Sequence, residues 1–175
     1  MHKIKNYTCI FFYFLLISQS FSQEKYAVRI DFTKAIFGAY QIGGEYNIHD
    51  NISLGLELID FKASRSLTSK TDAASKDKAF GISPFIRYYK KNNYSSTSFY
   101  QASFRYLNYH GLGDQYDRWK NLLSIDIAYG YQFKISKVFF IEPSIGLGAY
   151  KKLNTDKKST ISPYPILNFN LSLKL

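Results

Sequence analysis

The residues best able to do chemistry in this chain crowd into Tyr109 to Lys120 (YHGLGDQYDRWK), where His110, Asp114, Asp117, Arg118 and Trp119 stand close together. A histidine with acidic neighbours is the base half of a hydrolase, and such an enzyme also needs a nucleophile within hydrogen-bond reach of that base. The stretch holds neither Ser nor Cys, and no matching motif surrounds His110. Metal ligation fares no better, because His2, His49 and His110 are scattered along the chain and a metal site needs its ligands to converge. Gly111-Leu112-Gly113 is too short for a phosphate-binding loop. No catalytic, cofactor-binding or metal-ligating residue is therefore assigned. A second set of ionisable residues is spread differently: Arg29, Asp31, Glu45, Glu57, Arg87, Arg105, Asp126, Lys134, Glu142 and Lys174, five basic and five acidic, each sit inside an otherwise alternating apolar segment.

Those segments are strands. In Leu122 to Tyr150, residues Leu123, Ile125, Ile127, Tyr129, Tyr131, Phe133 and Ile135 share one parity, and Ser124, Asp126, Ala128, Gly130, Gln132 and Lys134 the other. Successive strand side chains point to opposite faces, so one face is apolar and the other polar or small. Ser136-Lys137 turns the chain, and Phe139, Ile141, Pro143, Ile145, Leu147 and Ala149 then repeat the pattern over Phe140, Glu142, Ser144, Gly146 and Gly148. Each arm runs about 13 residues. That is longer than the ~5 to 6 of a globular strand and suits the ~9 to 11 that cross a bilayer at a tilt.

The same parity marks six more strands: Tyr26 to Phe32, Gly38 to Ile48, Ile52 to Phe61, Ala79 to Tyr89, Phe99 to Asn108 and Ile166 to Leu175. The expectation is an all-β, eight-stranded antiparallel up-and-down transmembrane barrel. The connections agree with it, since such barrels alternate short inner turns with longer outer loops. The inner turns are His49 to Asn51, Lys90 to Ser98 and Ser136 to Lys137; the outer loops are Thr33 to Phe37, Ala63 to Lys78, Tyr109 to Asn121 and Lys151 to Pro163.

Residues 1–22 read as a cleavable signal peptide: Lys3 and Lys5 precede the apolar run Cys9 to Ile17, and Ser20-Phe21-Ser22 supplies small residues for a peptidase. The apolar run falls well short of the ~20 residues of a helical span. The barrel domain then occupies 23–175, without cysteine and hence without disulfide or thiol chemistry. Removing Lys3 and Lys5 lowers the formal net charge from +10 to +8. Mean hydropathy is slightly negative, as expected when only every second residue meets lipid.

The exported start, the eight alternating strands, the stretch Gly38 to Leu58 (GAYQIGGEYNIHDNISLGLEL) and the closing strand Phe169 to Leu175 resemble the small OmpA/OmpX-type outer-membrane barrels, including barrel domains of uncharacterised function. The resemblance implies an outer-membrane location, lipid and lipopolysaccharide as surroundings, and the barrel-assembly machinery as partner during biogenesis. It also raises an alternative, because some eight-stranded barrels are lipid A acyl-modifying enzymes; the absence of a nucleophile beside His110 speaks against that here.

Eight strands enclose room only for side chains or one small ligand. The ten inward ionisable residues are thus expected to pair as a network that fills the lumen, and Gly43, Gly55, Gly81, Gly130, Gly146 and Gly148 to make room for the long arginines. Outward Tyr26, Tyr46, Tyr88, Tyr100, Tyr131 and Phe139 mark an aromatic girdle near the inner ends, with Tyr40, Phe80 and Tyr106 toward the outer rim. Placement in two bands opposes a stacking platform for nucleic acid, despite the basic charge. A soluble lipocalin-like barrel would carry the reverse polarity, apolar inside. Any specific interaction is expected in the loops 63–78, 109–121 and 151–163.

Overall fold

In a computed structural model, the described residues are 25–33, 39–64, 76–92, 94–110, 120–153 and 161–175. They form eight strands: β1 (Tyr26–Asp31), β2 (Ala39–His49), β3 (Ile52–Ser64), β4 (Lys76–Tyr89), β5 (Thr97–His110), β6 (Lys120–Lys134), β7 (Phe139–Leu153) and β8 (Ile161–Lys174). Each pairs antiparallel with the next, and β1 pairs with β8 from Ala27↔Lys174 to Asp31↔Asn170, which closes the barrel. The expected up-and-down topology is the one found. The segment 1–22 and the loop positions 65–75, 111–119 and 154–160, with Asp114, Asp117, Arg118 and Trp119, lie outside the described residues.

The period-2 pattern becomes a polarity. From Gln41 to Ile48 and from Lys78 to Lys90 buried and exposed positions alternate without a break. Ile127 and its cross-strand partner Leu147 are 64% and 71% exposed on the outer wall, whereas Arg29 and Glu142 are 2% and 0% exposed inside. A sheet normally buries its apolar face and wets the other; this one does the opposite all the way round.

Most strands overrun their expected ends on the long-loop side. β3 continues to Ser64, β4 begins at Lys76 and β8 begins at Ile161, where the alternation had suggested Phe61, Ala79 and Ile166. The sequence pattern stops where the apolar band stops, but backbone pairing needs only a neighbouring strand and continues past it. At the other end β2 changes register between Asn47 and His49, a bulge of the kind that sharpens the local bend.

The glycines do something other than expected. A Cβ added at Gly55 would run into the Phe85 ring and lie 2.6 Å from the Gly44 carbonyl oxygen; one at Gly130 would overlap the Phe99 ring. They seat inward aromatic rings and close strand approaches, and the arginines lie across those rings.

Candidate functional site: the charged lumen

The lumen is built in two layers. Nearer the short-turn end, Arg29 from β1 and Arg87 from β4 meet three glutamates. Arg29 Nη2 lies 3.2 Å from Glu57 Oε1, its Nε 3.6 Å from Glu45 Oε2 and its Nη1 3.7 Å from Glu142 Oε2. Arg87 Nη1 lies 2.8 Å from Glu142 Oε2 and 3.6 Å from Glu45 Oε2. Gln101 Oε1 lies between the two cations, accepting from Arg87 Nη2 at 2.7 Å and from Arg29 Nη1 at 3.4 Å. Glu45 Oε1 accepts from Ser53 Oγ and, at 2.6 Å, from the Tyr89 hydroxyl. Each guanidinium also covers a ring, Arg29 at 4.1 Å from the Phe85 centroid and Arg87 at 3.9 Å from Phe99. Such charges survive removal from water only when opposite charge, hydrogen bonds and ring faces converge on them.

Lys174 completes this layer in another way. Its Nζ donates to Gln132 Oε1 at 2.7 Å and faces the rings of Phe140, Tyr89 and Tyr94 at 4.7, 4.8 and 5.7 Å. Tyr94 comes from the turn between β4 and β5, which folds over the mouth instead of projecting away. Asn47 Nδ2 donates to the Tyr94 hydroxyl at 2.8 Å, and Gln132 Nε2 donates to the Ser95 carbonyl at 2.8 Å. This accounts for an inner turn longer than a hairpin needs.

Nearer the long-loop end, Arg105 Nη2 pairs with Asp126 Oδ2 at 2.9 Å. The Tyr164 hydroxyl donates to Asp126 Oδ1 and lies 3.2 Å from Ser124 Oγ. Asp31 Oδ1 accepts from the Thr33 backbone N–H at 2.9 Å, and the Asn168 amide, oriented to satisfy its neighbours, donates to Asp31 Oδ2 at 3.2 Å.

Nine of the ten expected lumen residues therefore face inward. Lys134 does not join them: it is exposed at the short-turn rim, with Nζ donating to the Tyr94 carbonyl at 3.0 Å. Parity placed it on the inward side, and its Nζ lies 5.7 Å from the Phe140 centroid, but the side chain stays in solvent at the mouth. The groups not singled out from sequence are the aromatic and amide partners Tyr89, Phe99, Gln132, Tyr94 and Tyr164. Tyr89 and Phe99 share the inward parity of Arg87 and Gln101 and were legible on that ground. As for His49 and His110, they end β2 and β5 at opposite ends of the barrel. The arrangement holds charges in place.

Residues 9–166 match the family described as Protein of unknown function (DUF3575). The chain belongs to that family. No curated protein is similar enough to match it. Among solved structures, Neisserial surface protein A is similar over 86% of this chain and 97% of its own, with a TM-score of 0.58 and 13% identity. The N-terminal β-barrel domain of OprF from Pseudomonas aeruginosa is similar over 86% of this chain and 98% of its own, with a TM-score of 0.54 and 12% identity. Identity at that level shows a common fold and nothing finer. This family member has the fold of the small eight-stranded outer-membrane barrels.

Proposed function

We propose that the chain is exported by way of residues 1–22, resides in the outer membrane as an integral barrel spanning 23–175, and acts without catalysis, in a structural or surface-interaction role through its long-loop end. The observation that carries this reading is the inverted polarity: a continuous wall of exposed Ile, Leu and Phe surrounds a lumen of paired Arg and Glu. In water such a wall would bury nothing and the charges would gain nothing by enclosure; in lipid both become favourable. The aromatic positions support the same orientation, with Tyr26 and Tyr46 in contact at 5.2 Å and Tyr100 and Tyr129 at 5.2 Å near the short-turn end. With Arg29, Arg87 and Lys174 filling its section, the lumen is read as closed to solutes. The proposed partners are outer-membrane lipid and lipopolysaccharide, the barrel-assembly machinery during biogenesis, and a surface ligand at loops 63–78, 109–121 and 151–163.

The test is a comparison of boiled and unboiled gel mobility on protein recovered from the outer-membrane fraction. A shift on boiling is expected. Recovery from the soluble periplasm with no shift would overturn the membrane assignment and favour a lipocalin-like carrier.

A further inference from the structure

We propose that the wall has a side entrance between β1 and the long-loop half of β8, and that a single-chain acyl ester from the membrane inserts its head there to meet Ser83 and Arg105; the inference rests on the membrane reading above. β1 closes the wall only as far as Asp31↔Asn170. Its next residues, Phe32 and Thr33, are helical, and Asp31 Oδ1 accepts from the Thr33 backbone N–H at 2.9 Å, the contact with which an N-cap starts a helical turn. β8 runs on from Phe169 to Ile161 with no strand along that edge among the described residues. Phe169 and Leu167, 45% and 68% exposed on the outer wall, show that the edge begins inside the apolar band.

The backbone of β8 suits an open edge. Leu175 and Tyr26 exchange N–H···O bonds across the seam, whereas the Lys174 N–H donates to the Val138 carbonyl beside β7, so odd-numbered residues of β8 turn their backbone groups toward β1 and even-numbered ones toward β7. Pro163 and Pro165 are odd-numbered. They remove two donors from the open edge while the register with β7 continues past them; an edge is where a sheet tolerates proline, and hydrocarbon is where a free N–H costs most. Between them Tyr164 turns inward, its ring against Gly148 and its hydroxyl on Asp126, which pairs with Arg105 at 2.9 Å. Across the lumen two buried donors have no partner: Ser83 Oγ, on a residue with no exposed surface, and Arg105 Nε. They come from β4 and β5, between the paired positions Ile82↔Tyr106 and Phe85↔Ser103, and β4–β5 stand opposite β8–β1 in the closed ring. An eight-stranded section is wide enough only for side chains or one small ligand, so a head entering at the seam reaches them. Two neighbouring donors suit an acceptor oxygen. A carboxylate would compete with Asp126 for Arg105, whereas an ester carbonyl satisfies the donors without bringing another buried charge.

In the experiment, refolded full-length protein in zwitterionic detergent micelles is titrated with a monoacylglycerol brominated along its chain. Tryptophan quenching is read, against the unmodified protein, in Leu167→Trp beside the seam and in Ile82→Trp on the opposite wall, every sample also being run boiled and unboiled. Saturable quenching at one ligand per protein is expected in Leu167→Trp, and only the linear quenching of a micelle-dissolved lipid in Ile82→Trp. Ser83→Ala added to Leu167→Trp should weaken binding about fivefold, the worth of one hydrogen bond between uncharged groups, without lowering the unfolding midpoint, because the hydroxyl has no partner within the protein. Equal quenching at the two positions, an affinity untouched by Ser83→Ala, a lowered midpoint in that variant, or an ionised brominated fatty acid binding as tightly as the ester would each overturn the site. A mobility shift without saturable quenching defeats this inference alone; no mobility shift in the unmodified protein defeats the membrane reading and the site with it.

Discussion

Ile127 is the middle residue of β6 (Lys120–Lys134) and is 64% exposed on the outer wall, while Ile135, on the same parity just past the strand end, is 62% exposed. In water the two are equivalent, and an arginine at either should alter stability by no more than ~0.5 kcal/mol. In a bilayer they differ by depth. Eight residues at about 3.4 Å rise, tilted by about 40°, separate them by roughly 20 Å along the membrane normal. The apolar band is about 25 Å tall, so with Ile127 near the midplane Ile135 lies outside it. Ile127→Arg is therefore expected to cost ~2 to 4 kcal/mol and Ile135→Arg ~0 to 1 kcal/mol. The assay is reversible guanidinium unfolding of the refolded protein in phosphatidylcholine vesicles, read as the midpoint at constant slope. Equal, near-zero costs at both positions would show a wall facing water and refute the argument from polarity.

Three further outcomes follow from the lumen and its mouth. Arg87→Met, which leaves Glu142 and Glu45 without one of their cations, should cost ~3 to 5 kcal/mol in the same titration, and the added change Glu142→Leu should return a large part of that, since removing one partner of a buried pair is worse than replacing both. Gly55→Ala, whose Cβ meets Phe85 and the Gly44 carbonyl, should cost ~1 to 3 kcal/mol, whereas Gly44→Ala, with nothing within 4 Å, should stay within ~0.5 kcal/mol; thermal or denaturant midpoints separate the two. Tyr94→Ala removes the ring facing Lys174 and the acceptor of the Asn47 amide, so it should lower stability by ~1 to 2 kcal/mol, yet leave planar-bilayer conductance at the unmodified level because the Arg29 and Arg87 layer still fills the section. A stepwise conductance in Tyr94→Ala would show that the turn, not that layer, closes the lumen.

Strand number, order and face were legible because a period of two is a strong constraint: shifting Asp126 to the outer wall would require Ile125 and Ile127 to turn inward together. Depth was less legible. Lys134 and Lys174 both carry the inward parity, but one is exposed at the rim and the other has no exposed surface, inside a ring cage. What separates them is cross-strand company. β8 places Lys174 beside Ala27 of β1, with its Nζ 4.7 Å from the Phe140 centroid and bonded to Gln132; Lys134, opposite Phe140 in register, lies 5.7 Å from the same ring and stays exposed. The girdle accounts for Tyr26 or Tyr88 but not for Phe85, Tyr89, Phe99 and Phe140, all buried inside. Their role follows from charge rather than from hydrophobicity. Arg29, Arg87 and Lys174 match Glu45, Glu57 and Glu142 in number, and Lys174 adds ring faces and an amide to the contacts of this layer. Ring faces supply partial negative charge without adding a titratable group, so they supplement the three carboxylates around the three cations of this layer. That arrangement depends on which parity neighbours are aromatic, a detail that strand periodicity alone does not weigh.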